Sequence, residues 1–143
     1  MNLKLFLNKK IPTIVGLDHI SYRINPIDRW FNFYFEAKER GLDPLWTINH
    51  GWISGIYYKD PDGNLVEIFF EHFSSAEEFK SNISPDFEDE PIGTNMDVEV
   101  LYEMYKAGSD FSELITKGNT VPEGKKPVSG FDAVVNMKKK FKD

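Results

Sequence analysis

The chain has 143 residues, enough for one domain, and its 41% hydrophobic and 15% aromatic residues are sufficient for a packed core. The net charge of −6 argues against a nucleic-acid partner, because binding phosphates needs clustered Lys and Arg. The absence of cysteine excludes disulfides and thiolate chemistry. No apolar stretch approaches the ~20 residues of a membrane span, and the first residues lack signal-peptide features. We therefore expect a cytoplasmic protein with no membrane partner.

Alternating hydrophobicity predicts a first strand, and helical spacing predicts a helix directly after it. "GLDHISYRI" is typical of a strand, with Ile20 and Tyr22 on the face that would pack on a core. "NPIDRWFNFYFEAKERG" predicts a helix that is capped by Asn25 and stops at Gly41. Three further strands are predicted over "PLWTINHGWIS", "GIYYKDP" and "LVEIFFEHF", and the tight turn "DPDGN" joins the last two.

This order divides the chain into three segments and predicts an α+β fold. Residues 1–15 contain a short strand, "NLKLFLN", which could at most be the last strand of a missing first module. Residues 16–73 form the strand–helix–strand–strand–strand module. Residues 74–143 form a helical and loop extension with a flexible tail rich in Gly, Pro and Lys. The pattern has no second copy in this chain.

Two ionisable residues, His19 and Glu67, interrupt the apolar pattern of the predicted strands. On the last strand Val66 and Ile68 share one face, so Glu67 points to the other. His19 lies on the corresponding face of the first strand, and the two side chains can meet if the strands are neighbours. A lone His in a strand is more often a packed or surface imidazole, and a lone Glu is more often solvated. Spacing alone therefore favours the ordinary interpretation over a metal site.

The stretches "GLDHISYRI" and "GLDPLWTINHGWISGIYYKDPDGNLVEIFFEHF" resemble the last module of the vicinal-oxygen-chelate superfamily. The specific part is "YYKDPDGNLVEI", a strand, a turn and a strand that bears a ligand Glu. "INHG" upstream and "EPIGTNMDVEVLYEMYKAG" downstream fit the same pattern. The resemblance covers roughly residues 16 to 108 and is closest to small extradiol, catechol-type ring-cleaving dioxygenases.

The resemblance implies a βαβββ module that pairs with a second module around a divalent metal. In these enzymes two His and one Glu hold Fe(II), or sometimes Mn(II), and leave open positions for catecholate and dioxygen. His19 and Glu67 match two of these ligands. Tyr57 matches the Tyr that contacts the substrate hydroxyl, and His50 matches a His that hydrogen-bonds or shuttles protons. The implied function is an extradiol-type dioxygenase, or part of one, that uses a small aromatic diol and O2 in aromatic compound catabolism.

The remaining His of the triad belongs to the first module, and that module is missing from this sequence. The segment before Gly16, "MNLKLFLNKKIPTIV", contains no His, Asp or Glu. We therefore expect that a homodimer, or the missing module, closes the site. Two alternatives stay open. One is a truncated, non-catalytic binding module, and the other is a glyoxalase-like lyase or isomerase in which a dimer supplies two copies each of His19 and Glu67.

Overall fold

The computed structural model describes residues 17–82, 85–87, 91–122, 124–130 and 132. The strand predicted within residues 1–15 lies outside these described residues, as do residues 133–143 of the predicted tail. Among the described residues, no helix has the length and apolar character needed to cross a membrane.

A mixed sheet of five strands forms the centre of the described chain, in the order β1-β4-β3-β2-β5. The parallel pair is β1 with β4, and the other neighbouring pairs are antiparallel. The fold is the predicted α+β class, a βαβββ module followed by a helical extension. The strands are β1 (Ile20–Arg23), β2 (Trp46–Asn49), β3 (Ile53–Lys59), β4 (Leu65–Glu71) and β5 (Thr94–Asn95).

Helix α1 (Ile27–Glu39) packs its apolar stripe on one face of the sheet. Trp30 is fully buried there, and its indole N–H donates to the carbonyl of Ile68 at 3.0 Å. The core between α1 and the sheet combines residues of the helix, β3, β4 and the extension, and includes Phe31, Ile56, Ile68, Phe70 and Leu101.

The two predicted ends of α1 have different outcomes. Gly41 follows the last turn with a φ of +78°, which confirms it as the stop, since glycine adopts this region without steric cost. The predicted cap at Asn25 is wrong, because Pro26 is the capping residue and makes no side-chain cap bond. The side chain of Asn25 instead accepts the backbone N–H of Glu71 at 3.1 Å, so it joins the helix entry to the end of β4.

The predicted core face of β1 is also wrong. Ile20 is 40% exposed and Tyr22 is 55% exposed. The physical reason is that β1 is an edge strand of the sheet, whereas the core under α1 draws on β3 and β4. Only Ile24, just beyond the strand, packs against this core.

The extension adds short helices and the small edge strand β5. Asp97 caps α3 by accepting the backbone N–H groups of Glu99 and Val100 at 2.9 and 3.2 Å. The helices are α2 (Ala76–Asn82), α3 (Val98–Lys106) and α4 (Phe111–Ile115), with a 3-10 turn at Pro85–Phe87.

Candidate metal and proton-transfer site

The candidate site lies on the face of the sheet opposite α1, where β1, β4 and β3 are adjacent. Glu67 is at its centre, opposite Ser21 on one neighbouring strand and Tyr57 on the other. Its neighbour Ile68 belongs to the core under α1, so Glu67 points away from that core, as the alternation predicts. Glu67 is nevertheless only 3% exposed, which makes it a buried carboxylate.

Polar side chains surround the two carboxylate oxygens of Glu67. The hydroxyl of Ser21 donates to Oε2 at 2.6 Å, and Nε2 of His19 lies 3.4 Å from the same oxygen. Nε2 of His50 lies 3.6 Å from Oε1. Oε1 is buried and has no hydrogen-bond partner of normal length among the described residues. Glu67 is thus half satisfied by the chain itself.

His19 is oriented by the residue before it in the chain. Its Nδ1 lies 2.8 Å from Oδ2 of Asp18, and a carboxylate oxygen can only accept, so Nδ1 carries the proton. In the neutral imidazole, Nε2 then presents a lone pair towards Glu67. A carboxylate behind the distal nitrogen is the usual way in which proteins orient a histidine that ligates a metal.

His50 is oriented by a backbone carbonyl. Its Nδ1 donates to the carbonyl oxygen of Ile92, which fixes the tautomer in the same way. Nε2 then lies 3.4 Å from the hydroxyl of Tyr57 and 3.6 Å from Glu67. This nitrogen can accept a proton from a group in the site.

Tyr57 is held between aromatic rings. Its ring lies 5.0 Å from that of Trp46, tilted by 31°, and 5.5 Å from that of His19 in an edge arrangement. Burial and the negative charge of Glu67 raise the pKa of Tyr57 well above its usual value of 10.0, so it stays a neutral phenol. Burial alone would raise the pKa of Glu67, but favourable interactions with His50, Ser21 and Tyr57 outweigh it and lower that pKa. Glu67 therefore stays ionised at neutral pH.

Gly55 makes room for the Glu67 carboxylate. A Cβ atom on Gly55 would lie 2.4 Å from Oε1 of Glu67. The φ of Gly55 is not in the left-handed region, so the backbone itself does not require glycine there. Space for the carboxylate is what a larger residue would remove.

The ligand atoms of His19 and Glu67 suit a divalent cation in part. With neutral His19, Nε2 and Oε2 are both acceptors, and two acceptors that face each other need a proton or a cation between them. The other carboxylate oxygen of Glu67, Oε1, is buried and unpartnered, and it is a further atom that could ligate a cation. No group of three or more His, Asp or Glu side chains that could hold a metal forms within the part of the chain that is described. The two residues therefore fit as two arms of an incomplete ligand set.

The structure brings all four predicted residues, His19, His50, Tyr57 and Glu67, into one cluster. Sequence reasoning missed Ser21, although it alternates onto the same strand face as His19. The contribution of Ile92 could not be found from its side chain, because the contact is made by its carbonyl group. The third histidine, His72, lies elsewhere: it is buried and 2.9 Å from the hydroxyl of Ser54.

Comparison with known proteins identifies relatives of this chain. The chain is 31% identical over 112 residues to biphenyl-2,3-diol 1,2-dioxygenase 3 of Rhodococcus globerulus, a match that covers 78% of this chain and 59% of that protein. It is 28% identical over 111 residues to biphenyl-2,3-diol 1,2-dioxygenase 2 of the same organism, covering 77% and 58%. The chain is a homologue of extradiol dioxygenases of the vicinal-oxygen-chelate superfamily.

This relationship to the extradiol dioxygenases confirms the resemblance predicted from the "YYKDPDGNLVEI" stretch. The chain spans just under three fifths of the length of these two relatives. No family model matches it, and no solved structure matches it.

Proposed function

We propose that this chain is the metal-binding module of an extradiol-type ring-cleaving dioxygenase that acts on a small aromatic diol and O2. The observation that carries the proposal is the convergence of His19, His50 and Tyr57 on one buried, half-satisfied carboxylate, that of Glu67. The two relatives are named for the dioxygenation of a biphenyl diol, which fits a site that combines ligand atoms with a proton acceptor.

The metal of the proposal is Fe(II), with Mn(II) as the other candidate, and His19 and Glu67 would hold it. When bound, such an ion supplies open coordination positions at which a diol and dioxygen come together. Asp18 keeps Nε2 of His19 free to ligate by occupying Nδ1. Ser21 holds Oε2 of Glu67 and so limits rotation of the carboxylate.

His50 and Tyr57 are the proposed acid–base pair of the site. Nε2 of His50 accepts a proton from a diol hydroxyl, since Nδ1 is already engaged by Ile92. Tyr57 stays protonated because its pKa is raised, so its hydroxyl is available to donate a hydrogen bond to a substrate oxygen. The Trp46 ring keeps Tyr57 in this orientation.

The proposed site needs a partner, either a second copy of this chain or the missing first module. His19 and Glu67 supply only two protein ligands, and the described residues offer no third. The exposed side chains of Leu17, Ile20 and Tyr22 lie on or beside β1, the strand at the edge of the site. Native mass spectrometry tests this step: a metal-loaded dimer, or a complex with a separate module, is expected, and a metal-loaded monomer would contradict it.

The activity is tested by oxygen consumption after anaerobic loading with Fe(II). Catechol and biphenyl-2,3-diol are the substrates to use, with Glu67→Gln as the variant that should lose activity. Glu71→Gln is the matched control, because Glu71 lies on the same strand in an exposed ion pair with Arg23. We expect uptake with the wild type and with Glu71→Gln, and none with Glu67→Gln.

Two other outcomes of this assay would replace the proposal. No oxygen uptake together with no retained metal would identify a non-catalytic binding module, an outcome compatible with the incomplete ligand set. Activity on a hemithioacetal without oxygen uptake on catechols would identify a lyase or isomerase, in which a symmetric dimer brings together two copies of His19 and Glu67.

A further inference from the structure

The carbonyl that orients His50 belongs to a segment enclosed on both sides by the chain. Ile92 accepts the Nδ1–H of His50, and the strand β5 begins two residues later. Because this single carbonyl decides which imidazole nitrogen carries the proton, whatever fixes its position also fixes the chemistry available at Nε2.

On one side, the segment is pressed against β2. Gly93 has a φ of +104°, and a Cβ atom there would lie 2.1 Å from the carbonyl oxygen of Asn49 and 2.7 Å from Cα of His50. The ladder continues with the pairs Asn49 with Thr94 and Ile48 with Asn95. The carbonyl of Ile92 therefore has no room to move towards β2.

On the other side lies a short stretch near the end of the described chain, Val128–Gly130, here called the carboxyl-terminal clamp. The N–H of Val128 donates to the side-chain oxygen of Asn95 at 2.6 Å, and its carbonyl accepts the N–H of Asn95 at 3.2 Å. Ser129 forms an antiparallel bridge with Thr94. The N–H of Gly130 donates to the carbonyl of Gly93 at 2.7 Å. The clamp thus extends the sheet along the free edge of β5.

Gly130 also packs directly on Ile92. A Cβ atom on Gly130 would lie 2.4 Å from Cγ2 of Ile92 and 2.8 Å from the carbonyl oxygen of Gly93. Such distances are well below ordinary contact, so any larger residue must displace either the clamp or the Ile92 segment. The contacts run without a gap from the clamp, through Ile92, to the imidazole of His50.

We propose that the carboxyl-terminal clamp is a positioning element for His50, holding the Ile92 carbonyl against Nδ1 so that Nε2 faces Tyr57 and Glu67. Its residues do not touch the site. They act through Ile92, because the clamp and β2 together hold the Ile92 segment in a single position. The tautomer of His50 is a property of the folded chain, whereas the kinetic consequence rests on the function proposed above.

The direct test is nitrogen-15 NMR of the imidazoles in the metal-free protein, which is simple because the chain has three histidines. In the wild type, His50 should carry its proton on Nδ1. Gly130→Val introduces the close contact with Ile92 and should give a mixture of the two tautomers. In the iron-loaded enzyme it should lower kcat about tenfold, an effect of the size that one hydrogen bond contributes, and leave KM for the diol nearly unchanged.

A second variant and a matched control keep the test decisive. Asn95→Ala removes the acceptor for the Val128 N–H without adding a clash, so it should shift the tautomer in the same direction by a smaller amount. Val128→Ala alters a side chain that is 40% exposed and keeps the backbone contacts of the clamp, so it should behave as the wild type.

In Gly130→Val, rapid hydrogen exchange of the backbone amide at position 130 would show that the clamp has detached. The proposal is overturned if the clamp detaches while His50 keeps the Nδ1–H tautomer and kcat stays at the wild-type value. If Gly130→Val does not fold, an unchanged His50 tautomer in Asn95→Ala overturns it instead. A tautomer that responds to the clamp in a protein that takes up no oxygen with catechols would support the clamp and refute the dioxygenase.

Discussion

The two faces of the sheet differ in the charge of the polar groups that they bury. On the face under α1, the N–H of Trp30 is paired with the carbonyl of Ile68, and the unpartnered buried atoms include a phenol hydroxyl on Tyr58 and an imidazole nitrogen on His72. All of these groups are neutral. On the opposite face the unpartnered buried atoms include the neutral indole nitrogen of Trp46 and an oxygen of the ionised carboxylate of Glu67.

The contrast matters because charge is much more costly to bury than a neutral dipole. An unpaired neutral polar group costs about 1–3 kcal/mol, and an unpaired buried charge costs considerably more. Ile68, the next residue on the strand, is an ordinary core residue, so the charge at position 67 is confined to the face opposite α1. The face under α1 is therefore the stability core, whereas the opposite face holds a buried charge with one carboxylate oxygen that a ligand can still engage.

The largest expected effect comes from comparing the same change, Trp to Phe, on the two faces of the sheet. Trp30→Phe leaves a cavity and removes the hydrogen bond from the indole N–H to the carbonyl of Ile68, so the free energy of unfolding should fall by about 2–4 kcal/mol. Trp46→Phe removes an indole N–H that has no partner among the described residues, and should cost less than about 1.5 kcal/mol. Urea unfolding measures both. Equal losses would remove the distinction between the two faces.

The second prediction concerns the pH dependence of stability on the α1 face. Burial lowers the pKa of His72 from 6.5 to about 4. The folded pKa is below the unfolded one, so protons favour the unfolded chain. Stability should be complete above pH 6.5 and fall by about 1.4 kcal/mol per pH unit towards pH 4, about 3 kcal/mol in all.

His72→Gln is the variant that isolates this contribution, since it removes the titrating group. Its unfolding free energy should fall less steeply than that of the wild type between pH 6.5 and 4.5, as measured by urea unfolding at each pH. Glu67 does not obscure the comparison: its lowered pKa places the associated loss of stability below pH 4.5. A wild-type profile as flat as that of the variant would show that His72 is not buried in its neutral form.

The smallest effect tests the space beside the carboxylate on the opposite face. Gly55→Ala places a Cβ 2.4 Å from Oε1 of Glu67, so the carboxylate must rotate away from its present position. Divalent-metal affinity should fall about tenfold, while stability stays within about 1 kcal/mol because alanine suits a strand as well as glycine does. Calorimetric metal titration and urea unfolding check the two parts, and an unchanged metal affinity would contradict this role of Gly55.

Much of the fold follows from local patterns in the sequence. Period-two alternation, the helical stripe of α1 and the "DPDGN" turn specify the elements, and alternation alone places Glu67 opposite Ile68. The exposure of Ile20 and Tyr22 could not be predicted in this way, because it depends on which strand lies at the sheet edge. That order is a property of the tertiary fold.

The site itself was only partly accessible from sequence. His19, His50, Tyr57 and Glu67 were predicted from the motif, but their polar support was not. The Ile92 carbonyl lies 42 positions from His50, and a backbone acceptor leaves no signature in a side-chain pattern. A glycine at position 55 does not by itself reveal which group needs the space, and that group, Oε1 of Glu67, is apparent only from the structure.

The central claim is that Glu67 and His19 hold a divalent metal on the face opposite α1, and anaerobic Fe(II) titration of Glu67→Gln beside Glu71→Gln tests it most directly. The two glutamates share β4, but Glu67 is buried against His19 whereas Glu71 is paired with Arg23 near the surface. We predict that the wild type and Glu71→Gln retain iron and that Glu67→Gln retains none, with all three equally folded. Equal iron retention by wild type and Glu67→Gln would contradict the account.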